Sequence, residues 1–173
     1  MATDDLKALI RPGQCSIGRT LDFVGDRWSL LILREASFYG VTRFEHLRTR
    51  LGISKAVLTE RLDGLVAHGI LDRVPYQQPG ERARHEYRLT PAGADLFPVL
   101  VALLEWGDKY RNEGLAPVSL SHKGCGAAVS GGLTCASGHH VQQSEVQPEV
   151  GPGLMPEAER LRAAGGPGQR SAA

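Results

Sequence analysis

"GISKAVLTERLDGLVAHGILDRV", residues 52–74, reads as a helix that stops at a glycine and passes directly into a strand. Ser54 is a favourable N-cap, because its side-chain oxygen can accept from an otherwise unpaired amide of the first turn. Behind it Leu58, Leu62, Leu65 and Gly69 recur along one face at helical spacing. The rest of the front end is polar, with Lys55, Thr59, Glu60 and Arg61 beside Val57. One side of this helix anchors it to a core, and the other is left to meet something else.

The neighbouring segments give the helix its context. "TRFEHLRTRLG" (42–52) predicts a preceding helix with Thr42 as N-cap, Phe44, Leu47 and Leu51 as its buried stripe and Gly52 as its stop. The two helices thus meet across the short turn 51–54. Further upstream, "CSIGRTLDFVG" (15–25) repeats Ile17, Leu21 and Val24 at helical spacing. "DRWSLLILREA" (26–36) is almost continuously apolar over 28–33, as a buried central helix is. Downstream the periodicity changes from helical to alternating. "ILDRVPY" (70–76) and "ARHEYRLT" (83–90) read as strands around the turn-forming "QQPGER" (77–82), which makes a hairpin with a basic tip. Thr90 then caps a helix over 91–110 with Pro91 at its first position. Its apolar residues Leu96, Val99, Leu100, Leu103, Trp106 and Tyr110 form a surface wider than one core contact requires, which implies a partner subunit.

Charge points to the same region. The chain carries a net charge of only +1, but residues 41–90 hold nine Lys/Arg against six Asp/Glu, together with three histidines. The locally basic middle suggests an anionic partner. The first thirty residues contain no signal-peptide core, and the longest apolar run, 97–106, is too short to cross a bilayer. The expected setting is the cytoplasm, with no membrane partner. Three widely spaced cysteines, Cys15, Cys125 and Cys135, do not form a secreted disulfide framework.

Helix, helix, tight turn, helix and basic hairpin is the winged helix-turn-helix arrangement. The expected fold is α+β, mostly α: a DNA-binding domain over 15–115 with a long dimerisation helix, after an N-terminal arm at 1–14. The polar front of the 54–68 helix would enter the major groove, while the hairpin 71–90 forms the wing. The markers Cys15, Gly25, Trp28, "RFEHLR", "LTERLDGLVAHGIL", "EYRLTPAG" and Trp106-Gly107 together resemble the HxlR-type bacterial transcription regulators, relatives of the MarR group, over about 15–110. The resemblance implies a homodimeric regulator of a nearby gene, with repression as the default and a small-molecule effector as a further partner. Its DNA partner would be a double-stranded operator with an inverted repeat.

Several residues fit that chemistry. Arg61 can contact phosphate or pair bidentately with guanine, Glu60 can accept from cytosine N4, and the methyls of Val57 and Thr59 can meet a thymine methyl. Ser54 and Lys55 complete the recognition-helix set, and Arg43 in the preceding helix would support a backbone contact. In the wing, Arg82, Arg84 and His85 suit phosphate or the minor groove. Alternatively these charges only solvate a helix face and a loop, leaving a winged-helix protein-interaction module without DNA binding. An enzyme reading lacks a nucleophile motif and a glycine-rich phosphate loop.

Cys15 precedes a helix N-terminus between Arg11 and Arg19, where helix amides and cations favour a reactive thiolate. The resemblance implies oxidant or electrophile sensing at this position in some family members. The alternative is a small buried residue without redox function. His122, Cys125, Cys135 and His139 have a spacing compatible with tetrahedral zinc. Over 118–150 the chain also resembles the zinc-ribbon-like extension of some members of the family, but Gly138 replaces the second cysteine of the usual Cys-x2-Cys pair. A small β-hairpin appendage with an absent or altered metal site is therefore expected there. The Gly/Pro/Ala-rich tail, 151–173, is expected to be flexible, with at most a short helix over 156–164.

Overall fold

The computed structural model describes residues 13, 15–80 and 82–154 of the 173-residue chain. The backbone forms two compact units, Arg19–Gly132 and one built from Met1–Gly18 with Leu133–Ala173. The N-terminal arm apart from Gly13, Arg11 and the 156–164 helix lie outside the described residues. None of the described helices is long and apolar enough to cross a membrane.

The helices begin and end where local chemistry dictates. Helix α1 spans Ser16–Val24, and α2 spans Arg27–Tyr39. The Asp26 carboxylate caps α2 by accepting from the amides of Trp28 at 2.9 Å and Ser29 at 3.1 Å. Helix α3, Phe44–Leu51, ends at Gly52, whose φ of 62° is the left-handed conformation that lets the chain turn sharply into α4. Helix α4 spans Lys55–Ala67, and the Ser54 hydroxyl accepts from the Val57 amide at 3.3 Å.

The core forms where α2 packs against α3, α4 and a later helix, α6, spanning Phe97–Arg111. Ile32 and Leu33 of α2 and Leu58 and Leu62 of α4 are each 0% exposed. Burying each such side chain stabilises the fold by about 1.5–3 kcal/mol. Leu65 and Leu47 complete the contact beneath the turn. The buried surface of α2 also contains Glu35, 1% exposed, which ion-pairs with Arg34 on its own helix and with Arg50 from α3. A buried carboxylate needs such partners to offset the loss of water.

The wing consists of β1, Leu71–Tyr76, and β2, Arg84–Leu89, paired antiparallel with Leu71 opposite Leu89 and Tyr76 opposite Arg84. A third strand segment joins it. The Tyr87 amide donates to the Thr42 carbonyl at 2.8 Å, and Arg43 bridges Glu86. This corrects the expected role of Thr42: Arg43 occupies the N-cap position of α3 and makes no side-chain cap bond. The Thr42 hydroxyl donates instead to the Glu86 carboxylate at 3.3 Å. Extending 42–43 along β2 satisfies the backbone of the wing root, and a residue held in that extended pairing is placed to serve the sheet.

The single helix expected over 91–110 is also corrected. It is divided into α5, Pro91–Ala94, and α6. Within one continuous helix Pro98 would lack an amide and collide with the carbonyl four residues earlier, so it is accommodated in the first turn of a new helix. Thr90 does cap α5, accepting from the Gly93 amide at 3.1 Å while donating to the Gly69 carbonyl at 2.6 Å. Gly93 is required by close approach, because a Cβ there would sit 2.2 Å from the Ile70 carbonyl oxygen. On α6, Leu100 and Val101 are buried, whereas Val99, Leu103, Trp106 and Tyr110 form an exposed stripe.

Two small hairpins occupy the C-terminal segment. In the larger unit, Ser121 bridges Ala128 and the His122 amide donates to the Ala127 carbonyl at 2.8 Å. In the smaller unit, β3, Leu133–Thr134, pairs antiparallel with β4, His140–Val141.

Candidate nucleic-acid interface

Helix α4 and the wing flank an open groove of about 690 Å³. Lys55, Thr59 and Asp63 line it from α4, one helical turn apart on a single stripe. Arg43, Glu45 and His46 contribute from the start of α3, and Arg73, Tyr76, Arg84 and His85 from the hairpin. Four Arg/Lys side chains therefore line the groove together with two carboxylates and two histidines. The surplus positive charge lies between the element that would read bases and the element that would hold the backbone.

The fold fixes these groups in different ways. The Arg43 guanidinium lies 4.6 Å from the centroid of the Tyr76 ring, so the α3 entry is tied to the wing strand by a cation–π contact. Arg73 Nη2 is 3.4 Å from His85 Nδ1 on the neighbouring strand. Thr59, Glu60 and Lys55 are exposed, as are Arg82, Arg84 and His85.

Three residues of the recognition-helix set have local tasks. The Ser54 hydroxyl is occupied by the helix cap, and half-buried Val57 packs on the core. Arg61 is half-buried, with Nε 3.3 Å from Asp26 Oδ1 and Nη1 3.3 Å from Glu60 Oε1. The Asp26 carboxyl joins α4 to the N-terminus of α2. Burial alone would raise its pKa, but hydrogen bonds from the Ser29 hydroxyl and amide, the Arg61 charge and the Trp28 amide outweigh that and hold it below its ordinary value.

Arg73, Tyr76 and His46 are groove residues that the sequence reading did not single out. Strand pairing carries the signal for the first. Arg73 stands directly opposite buried Tyr87 in the middle of β1, so a register drawn from the alternation would have placed it in the groove.

Cys15 is exposed immediately before α1, which corrects the alternative of a small buried residue. His122 Nδ1 is 3.2 Å from Cys125 Sγ within its own hairpin turn. In the other hairpin the Cys135 thiol is exposed and held below its ordinary pKa, first by the His139 amide and then by that of Ser137. Among the described residues, no group of three or more His, Cys, Asp or Glu is gathered as a metal ion would need.

Comparison with known proteins adds relatives to this geometry. A family model described as HxlR-like helix-turn-helix matches residues 23–114. The HTH-type transcriptional regulator Rv3095 of Mycobacterium tuberculosis is 50% identical over 142 residues, spanning 80% of this chain and 87% of that protein. Among solved structures, PA1607, named as a candidate transcription factor, matches with a TM-score of 0.68 at 36% identity, covering 80% of this chain and 96% of its own. The reduced form of the redox regulator HypR matches with a TM-score of 0.50 at 30% identity, over 57% of this chain and 96% of its own.

Proposed function

The chain belongs to the HxlR-like helix-turn-helix family and is a transcriptional regulator, not an enzyme, and on that premise we propose that it represses transcription as a homodimer bound to an inverted-repeat operator. The observation that carries this reading is the groove between α4 and the wing, where Lys55 and Thr59 stand one helical turn apart opposite Arg84 and His85. Lys55, Thr59 and Glu60 take the base edges, with Arg43, Arg73, Arg82, Arg84 and His85 on phosphate or in the minor groove. Ser54 and Val57 set the pose of the helix. Arg61 reaches DNA only by exchanging Asp26 for it, so it contributes to a base or phosphate contact at the cost of that ion pair.

The exposed α6 stripe of Val99, Leu103, Trp106 and Tyr110 supports the dimer, since burying it against its symmetry mate removes four large apolar side chains from water. The test is to recover genomic fragments with the purified chain and footprint them. Two protected half-sites about 34 Å apart, one helical turn, are expected. Protection of a single half-site by a monomer would remove the dimer, and absence of any protected fragment would leave the interaction-module reading.

Exposed Cys15 supports an oxidation response, and the likeness to a redox regulator favours the same assignment. Mild oxidant is expected to weaken operator binding by the wild type and not by Cys15→Ser. An equal response in both proteins removes the sensor role.

A further inference from the structure

Among the described residues, Glu35 is the carboxylate that the core buries, and it lies outside the groove between α4 and the wing. We infer that Glu35 is a positioning residue for DNA recognition: through Arg50 it fixes the end of α3 from which α4 starts, and what it adds is orientation rather than stability. Both ends of Glu35 are held. Its carbonyl accepts from the Gly40 amide and, at 3.1 Å, from the Val41 amide, where α2 ends. Its carboxylate is shared by Arg34 of the same helix and Arg50 of the last turn of α3. The Arg50 guanidinium also lies 4.9 Å from the ring centroid of Tyr39, so two residues of α2 grip it.

Helix α3 needs such a grip. It has eight residues and one fully buried side chain, Leu47, flanked by half-buried Phe44 and Leu51. Apolar contact carries no direction, so a short helix seated on such a pivot can turn or slide. A charge-assisted hydrogen bond near its end is directional and removes that freedom. The position of this end is passed on within a few residues. The Gly52 amide and, at 3.3 Å, the Ile53 amide donate to the Arg48 carbonyl, and the Leu58 amide donates to the Ser54 carbonyl at 3.0 Å. A rotation of α3 at Arg50 therefore displaces Lys55 and Thr59 in the groove.

Stability alone does not account for the pair. Apolar side chains of similar volume commonly replace a buried ion pair at no loss, or with a gain, because no charge is then taken out of water. The Arg34 and Arg50 side chains are 37% and 47% exposed, so solvent screens part of their attraction to Glu35. Arg34 Nε is buried without a hydrogen-bond partner. A core selected for stability alone would do as well with leucine at position 35, and fixed geometry is what the carboxylate supplies.

The test uses the full chain carrying Glu35→Leu and Arg50→Met together, which removes the pair and keeps its volume and the stem beside Tyr39. The double variant is expected to melt at or above the wild-type temperature, yet to bind a genomic operator at least tenfold more weakly. Its affinity for random-sequence DNA should stay within twofold of the wild type. In the DNA-free chain, hydrogen exchange at the Ile53 and Leu58 amides should be at least fivefold faster in the double variant. A variant that fails to fold, or melts well below the wild type, makes the pair a stability element and overturns the inference. Retained operator affinity overturns it as well, and so does an equal loss on operator and random DNA, which would make Arg50 a phosphate contact. The consequence for DNA rests on the regulator reading, whereas the exchange measurement does not. A wild type that binds no genomic fragment defeats that reading, and unchanged exchange in the double variant defeats the positioning role.

Discussion

Helix α4 and the hairpin of β3 and β4 are both stabilised by short-range backbone bonds, but only α4 is anchored from behind. Leu58, Leu62 and Leu65 are buried beneath it, so its polar face is held in one orientation. Leu133 of β3 is 60% exposed, and the hairpin is held by its turn, in which the Cys135 amide donates to the His139 carbonyl at 3.0 Å. A surface meant to read DNA must be rigid, because a misplaced side chain loses its base contact. That rigidity comes from the apolar stripe on the opposite face of the same helix.

The largest effect that sharpens this contrast is expected for Leu58→Ala. Removing a completely buried side chain beneath α4 should cost about 2–5 kcal/mol in denaturant unfolding. Leu133→Ala in the exposed hairpin should stay within about 0.5 kcal/mol. Comparable losses at both positions would break the comparison. Next comes Gly93→Ala, where the added methyl meets the Ile70 carbonyl at the root of the wing. Overpacking of this kind should cost about 1–3 kcal/mol and loosen the wing.

A smaller effect is expected at the joint between α2 and α4. Asp26→Ala removes an N-cap and the Arg61 ion pair, a loss of about 1 kcal/mol. The Asp26 pKa is depressed in the folded state, so the unfolded chain takes up its proton first as pH falls. Its contribution is fully present above the ordinary value of 3.8 and is lost as pH falls through the lower folded-state value. Acid titration of unfolding should therefore show a steeper decline below pH 4 for the wild type than for Asp26→Asn. Parallel declines would mean that the ionised Asp26 carboxylate adds nothing beyond the neutral cap.

How much of this was legible in the sequence follows the same division. The stripe of Leu58, Leu62 and Leu65, the Gly52 stop and the Ser54 cap are local patterns, and each fixes its element without knowledge of the rest. The register of the wing was implicit in the alternation around Tyr87. The hidden features join residues far apart in the chain: Thr42 against Tyr87, Arg61 against Asp26, and Arg50 against Glu35. No periodicity encodes such pairs. Arg61 read as a free cation on a helix face because its partner lies in another helix. Pro98 could have been read locally, since a proline seven residues after Pro91 is incompatible with an unbroken helix.

For the hairpin segment, the smallest expected effect is that of metal removal. We propose that backbone turns hold these hairpins without metal, so chelation should leave the far-ultraviolet spectrum and the melting curve of the chain unchanged. About one zinc per purified chain, with loss of order on chelation, would instead assign His122, Cys125, Cys135 and His139 to a zinc site.

The central claim is that the groove between α4 and the wing holds DNA, and the salt dependence of operator binding tests it most directly. Anisotropy titrations with a genomic operator between 50 and 200 mM salt, values chosen to span the usual steep range, should give a linear log–log plot. Arg84→Ala should lower its slope by about one unit per lost phosphate contact and weaken all sequences alike. Lys55→Ala and Thr59→Ala should cost about 1–3 kcal/mol at particular operator positions if they meet bases. Folded variants of all three residues that bind the operator as tightly as the wild type, with the same salt slope, would contradict the account.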